Sequence, residues 1–336
     1  MHGYYADLLR TSKYASESSL PMEPRTLWTL AFTVLVWASA FPAIRIALTA
    51  YGPAQLAFFR FAVAGVVLLG IGAAARLRPP GPRDLMHIAL LGVLGIATYA
   101  VALGFGQKQV PAGSASLLIA SAPVWMVVIA AAIGRERPTA RALFGIGVSF
   151  SGVVLIAAGR GLGLSFGPHA AAVLAAAVAG AAYNVAQRPL VARYGALRFT
   201  IVAVWGGALA LLPAAGGLAD TVRAAPLPAT LAILYLAIFP GALGYAGWAY
   251  VSARASAAVA GSALYLVPAV SMVLSHLVLG EVPSAAALAG GALVLAGVAA
   301  VHRRARGKVA PPRTDPTHMA VDPVRVTGRL RADVQL

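Results

Sequence analysis

The chain has 336 residues, no cysteine and little charge, with Asp, Glu, Lys and Arg together making up 11% of it. Without thiols there can be no disulfide and no thiolate metal site, although this absence fixes no compartment. A soluble domain carries about a quarter charged residues, so this chain is short of the polar surface that water requires. Acids are scarcest, 10 against 26 Lys and Arg, for a net charge of +16. Asp84 and Asp220 fall in gaps between apolar runs, so the paired intramembrane Asp of a membrane aspartyl protease is missing. His87, His169 and His276 lie too far apart in sequence for a metal cluster, and neither metal nor cofactor is expected. The positive surplus raises nucleic acid as a partner, but the basic residues sit in short gaps between apolar runs. That is a pattern of membrane topology, and no nucleic-acid partner is expected.

What the chain does have is apolar sequence, 60% of its residues, with a mean hydropathy of +0.81. Ten runs of about bilayer length lie near 27–49, 54–75, 85–107, 112–133, 139–158, 167–187, 197–216, 229–250, 256–279 and 284–302. Pro42, Pro123, Pro240 and Pro268 fall inside four of them, which a membrane bundle tolerates because neighbouring helices satisfy the freed carbonyls. Residues 1–24 are polar and of mixed charge and read as a cytoplasmic tail rather than a signal peptide; translation from Met1 or from Met22 fits equally. Residues 303–336 read as a basic, disordered cytoplasmic tail.

Lys and Arg fix the expected orientation. With the N-terminus inside, the inner segments hold 21 of them and the outer loops only Lys108, Arg160 and Arg223. Both termini are therefore expected in the cytoplasm, in a multi-pass membrane protein.

The chain also repeats itself. Shifted by 145 residues, Pro123 meets Pro268, Glu136 meets Glu281, Pro138 meets Pro283, Gly145 meets Gly290 and Gly152 meets Gly297, without a gap. At an offset of 143, Arg45, Tyr51 and Gly52 meet Arg188, Tyr194 and Gly195. The expected repeats cover 27–158 (helices 1–5) and 167–302 (helices 6–10). Five helices per repeat is an odd number, so the second repeat enters the membrane upside down. The fold expected is all-α integral membrane, ten transmembrane helices as two five-helix inverted repeats, with a solute site near mid-membrane between them.

These residues resemble the drug/metabolite transporter superfamily, specifically its EamA-type members. The resemblance rests on WASAFPAIRIAL (Trp37–Leu48), on AFFRFAVAG (Ala57–Gly65), and on the hairpin Ala115–Ile156 with its Pro, Glu and paired Gly, repeated through Gly297. It covers all but the tails. Arg45 stands where such proteins often have Lys, and Ala203 answers Arg60, so the helix-opening motif is single. The resemblance implies a bacterial inner-membrane exporter of amino acids or other small metabolites, driven by an ion or substrate gradient.

Candidate residues follow, each with a plainer role beside it. Arg60, about six residues into its helix, has no intramembrane acid to pair with and must meet carbonyls, water, the outer interface or an anionic substrate. Asn184 and Gln187 share a helix face beside Tyr183, facing either a solute or a neighbouring helix. Tyr245, Trp248 and Tyr265 supply either aromatic walls or core. His276 is the candidate for a coupling proton, or a satisfied core histidine. Glu136 and Glu281 each precede a Pro that opens the next helix, and are expected either to anchor that helix N-terminus or to gate or couple transport. Gly145, Ser149 and Gly152, with Gly290 and Gly297, are expected to pack helices closely.

The function expected is a secondary transporter exporting a small metabolite, such as an amino acid or related amphipathic solute, by alternating access. A lipid-linked substrate flippase on the same fold is the alternative. An intramembrane enzyme using Ser114 or Ser116 with His276 is a remoter one. The partners expected are the bilayer, a small solute and a candidate coupling proton; oligomeric state is not encoded legibly.

Overall fold

A computed structural model describes residues 23–133, 139–158, 167–255 and 263–302. Glu136 and both tails lie outside the described residues, so the expectations placed on them are not addressed by the fold. Every regular element among the described residues is helical. We label the long helices α1 (Pro24–Ala47), α2 (Pro53–Ala74), α3 (Pro82–Gln107), α4 (Ala112–Ala132), α5 (Ala140–Ala158), α6 (Pro168–Tyr194), α7 (Ala196–Ala210), α8 (Leu227–Ser252), α9 (Leu266–Leu279) and α10 (Ala285–His302). Among the described residues, α1, α2, α3, α4, α6 and α8 are long and apolar enough to cross a bilayer, whereas α5, α7, α9 and α10 are shorter apolar helices. At 14 residues α9 spans only about 21 Å of a ~30 Å hydrocarbon layer.

Proline explains where several helices begin. Pro24, Pro53, Pro82, Pro168 and Pro228 occupy the first or second helical position, where the missing N–H costs nothing. The interior prolines divide by the same logic. Pro123 follows a break at Ala120–Ser121 and opens the second part of α4, and Pro268 lies in the first turn of α9. Pro240 sits in a π-helical stretch, Ala237–Leu243, inside α8. Its counterpart in α3 is a second π-helical stretch, Val93–Thr98. Only Pro42 remains within regular α-helix among these four.

Ser and Thr cap the helices that follow the repeated Pro. The N–H of Ala142 donates to Thr139 Oγ1 at 3.3 Å and that of Ala287 to Ser284 Oγ at 3.1 Å.

The two halves are interleaved rather than side by side. α1 and α2 pack on α8, and α6 and α7 pack on α3; α9 lies on α1 as α4 lies on α6. Side chains repeat this exchange. Tyr51, just past α1, shares a hydrogen bond of 2.6 Å with Thr230 at the start of α8. Tyr194, at the end of α6, donates to Asp84 at the start of α3 at 2.5 Å, where Arg193 Nη1 adds a second bond at 2.6 Å.

Helices α5 and α10 meet at their glycines. A Cβ on Gly152 would lie 2.4 Å from the Gly290 carbonyl oxygen, one on Gly290 would lie 2.6 Å from that of Gly152, and one on Gly297 would lie 2.4 Å from that of Gly145. Ser149 Oγ donates to the Val294 carbonyl at 3.1 Å across the same seam. Backbones this close gain dispersion contacts along their length, the main attraction between helices when the solvent is itself apolar.

Candidate functional site

Two groups of polar and aromatic side chains stand apart from simple packing. The first surrounds Arg60, the eighth residue of α2 and so about 10 Å along its axis. Its guanidinium lies 4.9 Å above the ring of Phe61, and its buried Nε has no hydrogen-bond partner. Among the described residues no carboxylate pairs with it. A charge in this setting costs about 2.5–3.5 kcal/mol on insertion scales, less near an interface.

Tyr99 follows directly on the π-helical stretch of α3, and Tyr245 lies two residues past that of α8. A π turn inserts one residue into the helical register and so turns the side chains after it away from the face that a 3.6-residue period would give them. On α8 the insertion is braced by Trp37, whose Nε1 donates to the Pro240 carbonyl at 3.2 Å. Trp37 also meets Tyr245 edge-on (centroids 5.9 Å apart, 66° between planes) and lies tilted against Trp248 (5.4 Å, 45°). Trp37, Tyr245 and Trp248 thus form a corner of three rings.

The other expected residues divide. Tyr183 is buried and its ring fills the space over Gly95 in the π stretch of α3, so it packs α6 on α3 beside Phe199. Asn184 is exposed, and its Nδ2 donates to the Gly180 carbonyl of its own helix at 2.8 Å. Gln187 Nε2 donates to Asn184 Oδ1 at 2.7 Å. The amides therefore bond within α6 and not to a neighbouring helix. The i, i+3 spacing that put them on one face also puts them within reach of each other. Tyr265, half-buried at the start of α9, packs against the large apolar cluster that includes Phe41 and Ile44. His276 is exposed in the last turn of α9 and makes no hydrogen bond to Ser114 or Ser116 among the described residues. Ser116 is buried and donates to the Gly113 carbonyl at 2.7 Å. No group of three His, Asp or Glu among the described residues is close enough to hold a metal ion.

The second group lies at one end of the bundle. Gly280 ends α9 at φ +67°, a left-handed conformation that suits a residue without a Cβ, and its N–H closes on the His276 carbonyl at 2.9 Å. That turn sets Glu281 against α1 and α4. Its Oε1 accepts from Arg45 Nε at 3.2 Å, and its Oε2 accepts from the N–H of Ala112, the first residue of α4, at 2.8 Å. Arg45 Nη1 donates in addition to the carbonyls of Gln107 (2.6 Å) and Lys108 (3.0 Å), while the fully buried Gln107 donates to the Phe41 carbonyl at 3.1 Å. Of the two roles the sequence offers Glu281, anchoring the helix that follows it falls to Ser284, and Glu281 sits on the N-terminus of α4. A carboxylate there meets both a full positive charge and the positive end of a helix.

Tyr99 and Trp37 were not among the expected site residues. The signal that could have found Tyr99 is its place in the third helix, matching that of Tyr245 in the eighth at an offset of 146.

The model of the EamA-like transporter family matches residues 25–158 and again 168–303. The chain is similar to the "Probable terminal-alkyne amino-acid exporter" of Streptantibioticus cattleyicolor, 43% identical over 284 residues, 84% of this chain and 95% of that one. It is 35% identical to the "Uncharacterized transporter YdfC" of Bacillus subtilis over 263 residues, 78% of this chain and 86% of that one. A solved crystal structure, 24% identical, shares the fold with a TM-score of 0.56 over 83% of this chain and 97% of its own. With two family matches in tandem on an all-helical chain, this is a multi-pass membrane protein belonging to the EamA-like transporter family.

Proposed function

We propose that the protein is a secondary transporter of the inner membrane. It exports a small metabolite, an amino acid or related amphipathic solute, by alternating access between two inverted five-helix repeats. The observation that carries this reading is the exchange of partners at the α5–α10 seam. An axis along the membrane normal would set twin residues face to face, Gly145 on Gly290 and Gly152 on Gly297. Instead Gly152 meets Gly290 and Gly145 meets Gly297. A reflected pairing of this kind belongs to antiparallel helices related by a twofold axis perpendicular to them, hence in the membrane plane. The tyrosine bonds Tyr51–Thr230 and Tyr194–Asp84 support the same axis at the two ends of the bundle. Such symmetry lets one sequence form two access states related by that twofold axis around a fixed central site.

In this arrangement ten helices cross the membrane, both termini are cytoplasmic, and the Arg45–Glu281 cluster lies at the outer end, closing it. Reporter fusions at Pro228 and Pro311 are expected to read periplasmic and cytoplasmic respectively; the same side for both would break the ten-helix arrangement. The name of the relative from Streptantibioticus cattleyicolor supports amino acids as the solute class. Transport itself is read by uptake of radiolabelled amino acids into inverted vesicles, and a chain that moves none of them would sink the proposal.

The central site is read by cysteine scanning, for which the absence of native cysteine is convenient. Cysteines introduced at positions 60 and 248 are expected to react with a membrane-impermeant thiol reagent and to be shielded by excess substrate. A cysteine at 184 is expected to react without shielding, since the Asn184 amide bonds only to its own helix. Unreactive cysteines at 60 and 248 would remove both residues from the solute path.

A further inference from the structure

We propose that two tyrosine clasps, Tyr51 with Thr230 and Tyr194 with Asp84, stay joined through the transport cycle and are the pivots about which the helices rock. The inference rests on the alternating-access reading and says which contacts hold while that motion runs.

Tyr51 meets Tyr194 at an offset of 143, and Asp84 meets Thr230 at 146, the offset that also carries Tyr99 to Tyr245. The two bonds are therefore twins, each running between the repeats. Two access states related by the twofold axis exchange the conformations of the two repeats. A contact made by one twin alone passes to the other twin when the state changes. A contact made by both twins is present in each state. Both clasps are made in the one structure, at 2.6 and 2.5 Å. The α5–α10 seam meets the same criterion, since Gly152 on Gly290 and Gly145 on Gly297 are twin contacts and both are in place.

Burial separates the clasps from the Arg45–Glu281 pair. Tyr51 is 2% exposed and packs in the apolar cluster that holds Leu56, Ala229 and Ile233. A hydroxyl pair parted there has no water to turn to. The Arg45 and Glu281 side chains are 31% and 17% exposed, so that pair can exchange protein for water as it opens. The Tyr194 clasp lies nearer solvent and holds by charge instead, with Asp84 accepting from Tyr194 and Arg193 together.

Latch and pivot also ride on one piece of chain. The N–H of Leu48 donates to the Ile44 carbonyl at 2.9 Å and that of Tyr51 to the Ala47 carbonyl at 3.0 Å, which carries helical turn past the end of α1. Arg45 reaches from this rigid end to Glu281, and Tyr51 reaches from it to α8. When the Arg45–Glu281 pair parts, the end of α1 turns about Tyr51 and keeps its hold on α8.

The test is a set of spin-label distances in the full-length protein in liposomes, at exposed positions that leave every clasp and latch residue intact. A label at Thr49→Cys is paired with one at Leu227→Cys across the first clasp, or with one at Val282→Cys across the latch; Arg83→Cys with Ala192→Cys spans the second clasp. One population is expected across each clasp, and two across the latch. Two populations across either clasp would make it a gate and overturn the proposal. One population across all three pairs would leave nothing that rocks and overturn it as well. Bridging Tyr51→Cys to Thr230→Cys with a short bis-maleimide should spare uptake of radiolabelled amino acids into inverted vesicles, whereas bridging Arg45→Cys to Glu281→Cys should abolish it. Uptake lost on bridging the clasp would again overturn the pivots. Wild-type protein that moves no amino acid would sink the transporter reading by itself, because the distances are read without a substrate.

Discussion

Charge reversal at Glu281 is expected to abolish export, and reversal at Arg45 to do nearly the same. Glu281→Arg sets two cations together and adds a third positive centre, the N-terminus of α4, where the N–H of Ala112 now donates 2.8 Å to a carboxylate oxygen. Arg45→Glu places a carboxylate against the carbonyls of Gln107 and Lys108, which accept from Arg45 Nη1 at 2.6 and 3.0 Å. The pair is partly exposed, so its Coulomb energy is modest; the hydrogen bonds around it decide the effect. Losing two or three charge-assisted bonds destabilises this end of the bundle by about 2–4 kcal/mol, which shifts a two-state equilibrium by roughly 30- to 1,000-fold. The double reversal restores the ion pair but not the bond to Ala112 or the carbonyl contacts, and should recover only part of the rate. Export rates in vesicles, with disulfide trapping of cysteines at positions 45 and 281 as a readout of closure, check the prediction. A Glu281→Arg carrier running at the wild-type rate would show that the cluster takes no part in transport.

A larger effect is expected at the α5–α10 seam. Gly152→Leu and Gly290→Leu each drive a side chain into a facing carbonyl that lies 2.4 or 2.6 Å from where the first carbon must go. The contact is backbone on both sides, so no rotamer change relieves it and the helices must part. The loss of close packing and of the Ser149–Val294 hydrogen bond together cost about 3 kcal/mol or more, enough to empty the folded population of a marginal membrane protein. Monodisperse yield on size exclusion in detergent should fall at least ~10-fold. Gly147→Leu is the matched control. It is on the same helix, exposed, with nothing within 4 Å of its Cβ position. If the two seam variants purify as well as the control, the seam does not hold the halves together.

The repeat was legible because its markers are residues whose jobs only they can do. Pro123 and Pro268 open helix segments, and Gly152 and Gly297 admit a facing backbone; each is a backbone role that a sequence comparison registers as identity. The apolar runs were legible for the same reason that helices form in lipid at all. The partner of Arg45 was not, because Glu281 lies 236 residues away and local reasoning sees only the residues on either side of it. Trp37 and Tyr99 escaped notice because an aromatic in an apolar run looks like core, and because a π turn changes which face a residue occupies without leaving a mark in the hydropathy. Asn184 and Gln187 make a different point. Their spacing was read correctly, but two amides on one face satisfied each other instead of turning to a neighbour.

Interleaving has a consequence for how the molecule is made. The groove on α3 is shaped for residues that do not yet exist when α3 enters the membrane. A Cβ on Gly92 would meet the Ala203 carbonyl, and one on Gly95 the ring of Tyr183, roughly a hundred residues downstream. At ~5–20 residues per second that is a wait of about 5–20 seconds, during which the irregular backbone of the π stretch has only lipid or the other early helices for cover. The first five helices therefore leave the insertion machinery as an unfinished object, and α6 and α7 arrive as the pieces that close it. A lesion in α6 or α7 should in consequence be felt by the half of the protein already made, and quality control would meet it as a failure of the beginning of the chain.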